Sequence, residues 1–143
     1  MSRAINKARA VRSYPPATGF TLLEVMIVVV IITLLAAMAF PAYTNHVVST
    51  NQAAAQQFLM KVGNRQEQAM LDKRSYEAAL SDLDVSTPDS VADNYAITVN
   101  ADNAATPPSF EIVATPVSGT IQEDEPTLRY HSDGTKEPAD AWE

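Results

Sequence analysis

The sequence predicts an α+β chain: one long N-terminal helix, apolar in its first half and amphipathic in its second, packed on an antiparallel sheet of about three to four strands. Three patterns point there. The stretch from Val25 to Phe40 is apolar apart from Thr33, and a lone acid, Glu24, stands at its start. Further on, Ala55, Phe58, Leu59, Val62, Ala69 and Met70 recur at three- and four-residue spacing, which is one face of a helix. Nearer the C-terminus, Tyr95, Ile97 and Val99 alternate with Ala96 and Thr98, and Phe110, Ile112 and Ala114 alternate with Glu111, Val113 and Thr115, the period of a strand.

The first half of the helix has the length of a membrane span. Phe20–Phe40 is 21 residues, about 31 Å as a helix, against a hydrocarbon core of roughly 30 Å. Charge sets its direction. Met1–Gly19 carries Arg3, Lys7, Arg9 and Arg12 and no acid, whereas the rest of the chain has 6 basic and 17 acidic residues. A basic flank stays cytoplasmic, so the C-terminal domain is expected on the periplasmic side of an inner membrane. An acidic exterior domain argues against binding that depends on neutralising phosphates, and nucleic acid is not expected as a partner. The chain has no cysteine, which excludes a disulfide framework, a thiolate metal site and a cysteine nucleophile.

Glu24 is the informative residue of that run. A carboxylate this close to hydrocarbon costs roughly 2.5–3.5 kcal/mol on insertion scales and normally has a partner. A cut just before Phe20 would create one, a new amine. Small residues in Ala36-Ala37-Met38-Ala39-Phe40 also suit signal-peptidase cleavage, and the run suits a plain anchor. Neither accounts for Glu24, although snorkelling to lipid headgroups is an alternative for its side chain.

Gly19, then Phe20-Thr21-Leu22-Leu23-Glu24, the apolar run and Pro41-Ala42-Tyr43 together resemble the type IV pilin family, which includes minor pilins and type II secretion pseudopilins. The resemblance implies a prepilin with a class III signal. In that family a membrane peptidase cuts after the glycine, here Gly19, and N-methylates the new first residue, here Phe20. It also implies that Glu24 of one subunit meets the Phe20 amine of its neighbour. That pair would set the register of assembly, as a buried polar residue does in a coiled coil. Pro41 is expected to kink the helix. Two features depart from the family. The 19-residue leader is long for a pilin whose mature chain begins with Phe, and Thr33 stands where many members have a helix-weakening glycine, which puts local melting of the helix in doubt.

The helix is expected to run on to about Arg74, with Gly63 a weak point costing about 1 kcal/mol relative to alanine. Its apolar stripe fits packing on the chain's own sheet, or contact with other helices in a filament. Ser75–Asn94 reads as a loop with a helical turn around Tyr76–Leu83. Asn100–Ser109 connects the first two strands, Leu128–His131 is a third, and Ser132-Asp133-Gly134-Thr135 is a turn. The expected divisions are a basic leader (1–19), a transmembrane and assembly helix (20–40), and an exported globular domain (41–143) whose helical part is 41–74. Ala114-Thr115-Pro116, Leu128, Gly134 and Trp142 further resemble the minor pilins grouped as PilE-like. Many of those have a disulfide whose counterparts would fall near Thr127 and Ala141. Without it, the last loop must rely on packing, with Trp142 as the large apolar residue available.

No catalytic constellation is evident. His46 and His131 lack ligand spacing and read as surface residues, and there is no nucleophile elbow or phosphate loop. Glu123-Asp124-Glu125 with Asp133 and Asp140 reads as a solvated acidic loop, with calcium the alternative. The expected role is a structural subunit, a minor pilin, with no enzymatic activity and no cofactor. Its partners would be the prepilin peptidase, other pilin subunits and the inner-membrane assembly machinery, in support of pilus assembly, adhesion or twitching motility. The subunit would be a single-pass inner-membrane protein before assembly and extracellular in the pilus afterwards. A type II secretion pseudopilin, or a DNA- or surface-binding minor pilin, is the alternative.

Overall fold

The computed structural model describes residues 19–142. The leader up to residue 18, with Tyr14-Pro15-Pro16, lies outside them. The chain divides into two units, one reaching Met38 and one beginning at Ala39. One helix, α1, covers Leu22–Lys73.

Within the first unit the side chains of α1 are exposed and almost all apolar. Thr21 caps the helix: its Oγ1 accepts the backbone N–H of Glu24 at 3.1 Å, at the Thr-x-x-Glu spacing of a capping box. Thr33 folds its hydroxyl back onto its own helix, donating to the carbonyl of Val29 or Val30, both 2.8 Å away. Its polar group is therefore satisfied without a partner, and the backbone stays helical through this position.

The second unit is built on the rest of α1. Pro41 sits inside the helix, where it removes one N–H from the ladder. Ala55, Phe58, Leu59, Val62, Gly63, Gln66 and Ala69 are buried. The apolar ones pack with Val99, Phe110, Ile112, Ala114 and Leu128 in one hydrophobic cluster, so the stripe covers the chain's own sheet. Gly63 is a contact point as well as a helix weakener: a Cβ there would stand 2.4 Å from Cε1 of Tyr130. The helix stops at Lys73, and Arg74 turns left-handed (φ 58°). Lys73 in the last turn suits the helix dipole and also bridges to Glu77 at 2.7 Å.

Four antiparallel strands follow in the order β1-β2-β3-β4. They are β1 (Tyr95–Asp102), β2 (Ser109–Pro116), β3 (Leu128–His131) and β4 (Lys136–Glu137). Tyr95 pairs with Pro116 and Asp102 with Ser109. Thus β1 extends through Asn100–Asp102, which the sequence placed in a loop, because β2 supplies partners for that end too. Tyr95, Val99, Phe110, Ile112, Ala114 and Leu128 form the sheet's share of the core. The connection from α1 to β1 carries two short helical turns where the sequence suggested one: a 3₁₀ turn at Leu80–Leu83 and α2 at Asp89–Ala92. Val91 makes the second turn necessary, since it is buried against the same core.

Side-chain amides tie the irregular segments down. Gln66 is fully buried on α1. It accepts from the N–H of Glu77 (2.8 Å) and donates to the carbonyl of the same residue (2.6 Å). Asn103 does the same for Tyr76, at 2.8 and 2.9 Å. Tyr76-Glu77 is therefore held from both sides as a strand would be. Gln122, also fully buried, anchors the β2–β3 loop by donating to the Tyr95 hydroxyl at 2.8 Å. The C-terminal segment is secured without a disulfide. Gln52 (2.7 Å) and Gln56 both donate to the carbonyl of Ala141. Trp142 donates to the carbonyl of Glu137 at 3.2 Å, lies beside Tyr130 and carries Lys136 over its ring.

Candidate functional site

Gly19 and Phe20 precede the first turn of α1 and are exposed, Phe20 by 82 %. Glu24 sits one turn further on. Its backbone is held by Thr21, while its carboxylate has no hydrogen bond or ion pair among the described residues. With Phe20, Val25, Val28 and Val29 it lines a shallow groove of about 250 Å³. An acid is thus fixed beside an apolar surface that nothing in the chain's described residues covers. A carboxylate left unpaired in hydrocarbon would be penalised. The spacing Thr21-x-x-Glu24 was the available signal for the cap.

The remaining titratable groups do not form a chemical site. His46 is exposed, as expected for a surface histidine. His131 is not a simple surface residue: it is half-buried, its Nε2 is enclosed without a hydrogen bond, and Oε2 of Glu137 is 3.7 Å away. Its place on β3 puts it in line with Glu111 on β2, a juxtaposition its sequence neighbours do not reveal. Glu111 is engaged on both oxygens, by Arg129 and by Asn100. The hydrogen bond from Arg129 holds its carboxyl below the ordinary glutamate value, and Asn100 adds to this against the opposing effect of burial. The acidic residues weighed for calcium are not gathered: no metal-holding group of three His, Asp or Glu occurs among the described residues. Glu123 closes its own loop by accepting the N–H of Gly119 at 2.7 Å. Asp133 accepts the N–H of Thr135 at 2.8 Å, and that bond lowers its pKa.

The surface of the second unit is electrically lopsided. From Pro41 to Leu71 the formal charges are Lys61, Arg65 and Glu67, whereas residues 72–142 hold 4 basic and 14 acidic residues. Lys61 and Arg65 are exposed on α1, one turn apart.

A capped apolar helix with one acid in its first turn, continued as a helix packed on a small antiparallel sheet, defines a type IV pilin subunit. The prokaryotic N-terminal methylation motif matches residues 16–40. The family described as type IV minor pilin ComP, DNA uptake sequence receptor, matches residues 41–125. That is more than half of the chain, and the chain belongs to this family. No curated protein and no solved structure matches it. The protein is a type IV pilus minor pilin, a membrane-anchored subunit that is later assembled into a pilus, and its family is one of structural pilins. The expectation that nucleic acid is not a partner finds no support in a family of this description. That expectation rested on net charge, which averages over the whole surface, and the acids that dominate it lie beyond Leu71.

Proposed function

We propose that prepilin peptidase cuts this chain between Gly19 and Phe20, that Phe20 is N-methylated, and that Glu24 sets subunit register by meeting the Phe20 amine of a neighbour. The observation that carries this reading is the unpartnered carboxylate on an uncovered apolar helix. Before assembly the basic flank holds the N-terminus in the cytoplasm and the domain from residue 41 onward in the periplasm. Pro41 kinks α1 where one ladder bond is absent. Apolar packing drives assembly, and the amine–carboxylate pair selects the axial offset, because either charge left alone in hydrocarbon is penalised. Glu24→Ala should be cleaved normally but incorporated poorly into pili. Normal incorporation would remove the pairing from the account.

A second reading has a specific support in the family match over residues 41–125. In this reading the exported domain binds double-stranded DNA as a pilus receptor. Titration of the mature full-length chain in lipid nanodiscs with a random-sequence duplex, over a range of salt concentrations, tests it. Affinity that falls steeply with salt is expected. No binding at low salt would dismiss it.

A further inference from the structure

Ile121 and Leu71 are the large apolar side chains left exposed beyond Tyr43 among the described residues. Ile121 stands 50 % exposed on the loop between β2 and β3, and that loop is tied down on both sides of it. Gln122 is buried and reaches back to α1, donating to the carbonyl of Val48 at 3.4 Å and accepting from Asn51 at 3.5 Å. Thr120 donates to the carbonyl of Val117 at 2.8 Å and accepts the N–H of Gln122 at 3.2 Å. Glu123 and Asp124 follow, both exposed. Glu123 is engaged with Gly119, whereas Asp124 makes no hydrogen bond or ion pair among the described residues. The loop thus presents a fixed apolar knob with a free acid beside it.

The complement lies on another part of the same domain. Between α1 and α2 a groove of about 340 Å³ is floored by Ala54, Phe58 and Val91 and edged by Gln57, Lys61 and Ser90. Phe58 and Val91 are buried members of the core, so the floor is fixed. Lys61 is exposed and makes no hydrogen bond or ion pair among the described residues. No acid lines the groove; Asp89, between Pro88 and Ser90 in sequence, lies outside the lining.

The two surfaces sit at different heights along α1. The loop meets the helix at Val48 and Asn51, and the groove opens between Ala54 and Lys61, a difference of about 12 Å along the axis. Copies anchored in one membrane have parallel helices, so an axial shift of about 12 Å sets the loop of one copy level with the groove of the next. Knob and groove are different surfaces, so the contact is heterologous: a copy that offers its loop keeps its own groove free for another.

We propose that the exported domain docks on a second copy of itself, with Ile121 in the groove over Phe58 and Val91 and Asp124 against Lys61. The occupant is a second copy because this one chain carries both halves, apolar against apolar and free acid against free cation. The contact is small, one side chain and one exposed ion pair. It therefore acts between anchored copies, where tethering raises the effective concentration. It lies apart from Glu24 and requires no DNA, so it stands or falls independently of both readings above.

The chain has no cysteine, so introduced thiols report only their own positions. Two full-length copies with different tags, one Ser90→Cys at the groove and one Ser118→Cys on the loop, are co-expressed in a prepilin-processing host that lacks other pilins. Both serines are exposed. The membranes are then treated with a short bifunctional maleimide, and a product carrying both tags is expected. Ile121→Ser on the loop copy should lower its yield about fivefold, and Lys61→Glu on the groove copy about threefold. Asp124→Lys added to the loop copy should restore the Lys61→Glu loss, which a misfolded variant could not do. Leu71→Ser, which removes the other exposed apolar side chain, should change nothing. Absence of the mixed product, a yield indifferent to Ile121→Ser, or failure of the charge exchange to restore it would overturn the proposal.

Discussion

The Tyr130 ring rests on α1 at Gly63, so close that a Cβ there would lie 2.4 Å from Cε1 and 2.9 Å from Cδ1. Gly63 is what lets the sheet meet the helix at this crossing, and Tyr130 in turn flanks Phe110 and Trp142. Gly63→Ala gains about 1 kcal/mol of helix propensity but incurs about 1–3 kcal/mol of overpacking. A net loss of stability is expected in chemical denaturation. In a Tyr130→Leu background the same substitution should instead be stabilising, by up to about 1 kcal/mol, and an equal loss in both backgrounds would disprove the contact as the cause.

Gln66 should behave as a structural clamp. Gln66→Met keeps the volume but strands the N–H and carbonyl of Glu77. Leaving such buried groups unpaired costs about 1–3 kcal/mol. Limited proteolysis should then open the segment between Arg74 and Asn94 ahead of the sheet. Unchanged protease resistance would mean that Asn103 alone holds Tyr76-Glu77 in place.

Acid should weaken the sheet through Glu111. Because Arg129 holds this carboxyl below its ordinary value, the bond contributes fully above the ordinary glutamate range. The contribution is lost as pH falls through the depressed value. Arg129 is 41 % exposed, so the pair is screened, and an effect of about 0.2–1 kcal/mol is appropriate. In urea melts across acid pH, Glu111→Gln should be less stable than the parent near neutrality and lose less on acidification. Parallel pH profiles would refute the assignment.

The C-terminal segment should depend on two glutamines. Gln52→Leu with Gln56→Leu removes both donors from the Ala141 carbonyl. Carboxypeptidase should trim this variant back toward Pro138 while the amides of β1 and β2 remain protected from hydrogen exchange. If trimming does not accelerate, Trp142 packing is sufficient by itself.

Much of the fold was legible because it rests on period. The alternation around Tyr95, Phe110 and Leu128 marks strands that dominate the core, and the stripe from Ala55 to Met70 marks the face they cover. What escaped depends on partners far away in sequence. Gln66 on a buried face has no periodic signal, because its partner is the backbone of Glu77. Gly63 reads as a weak helical position until Tyr130 is placed on it. Asp89–Ala92 is too short for a periodic pattern, and β4 exists only through pairing with β3. The N-terminal methylation motif was readable because its information is local: Gly19, Phe20 and Glu24 lie within six residues, and Thr21 lies among them.

The most direct test of the account is intact-mass and terminal sequencing of the chain taken from sheared pili. A polypeptide that begins at Phe20 and is heavier by one methyl group on its amine is expected. A chain that keeps the leader, or one whose first residue lies beyond Phe40, would contradict it, because Glu24 would then lack the amine that assembly requires.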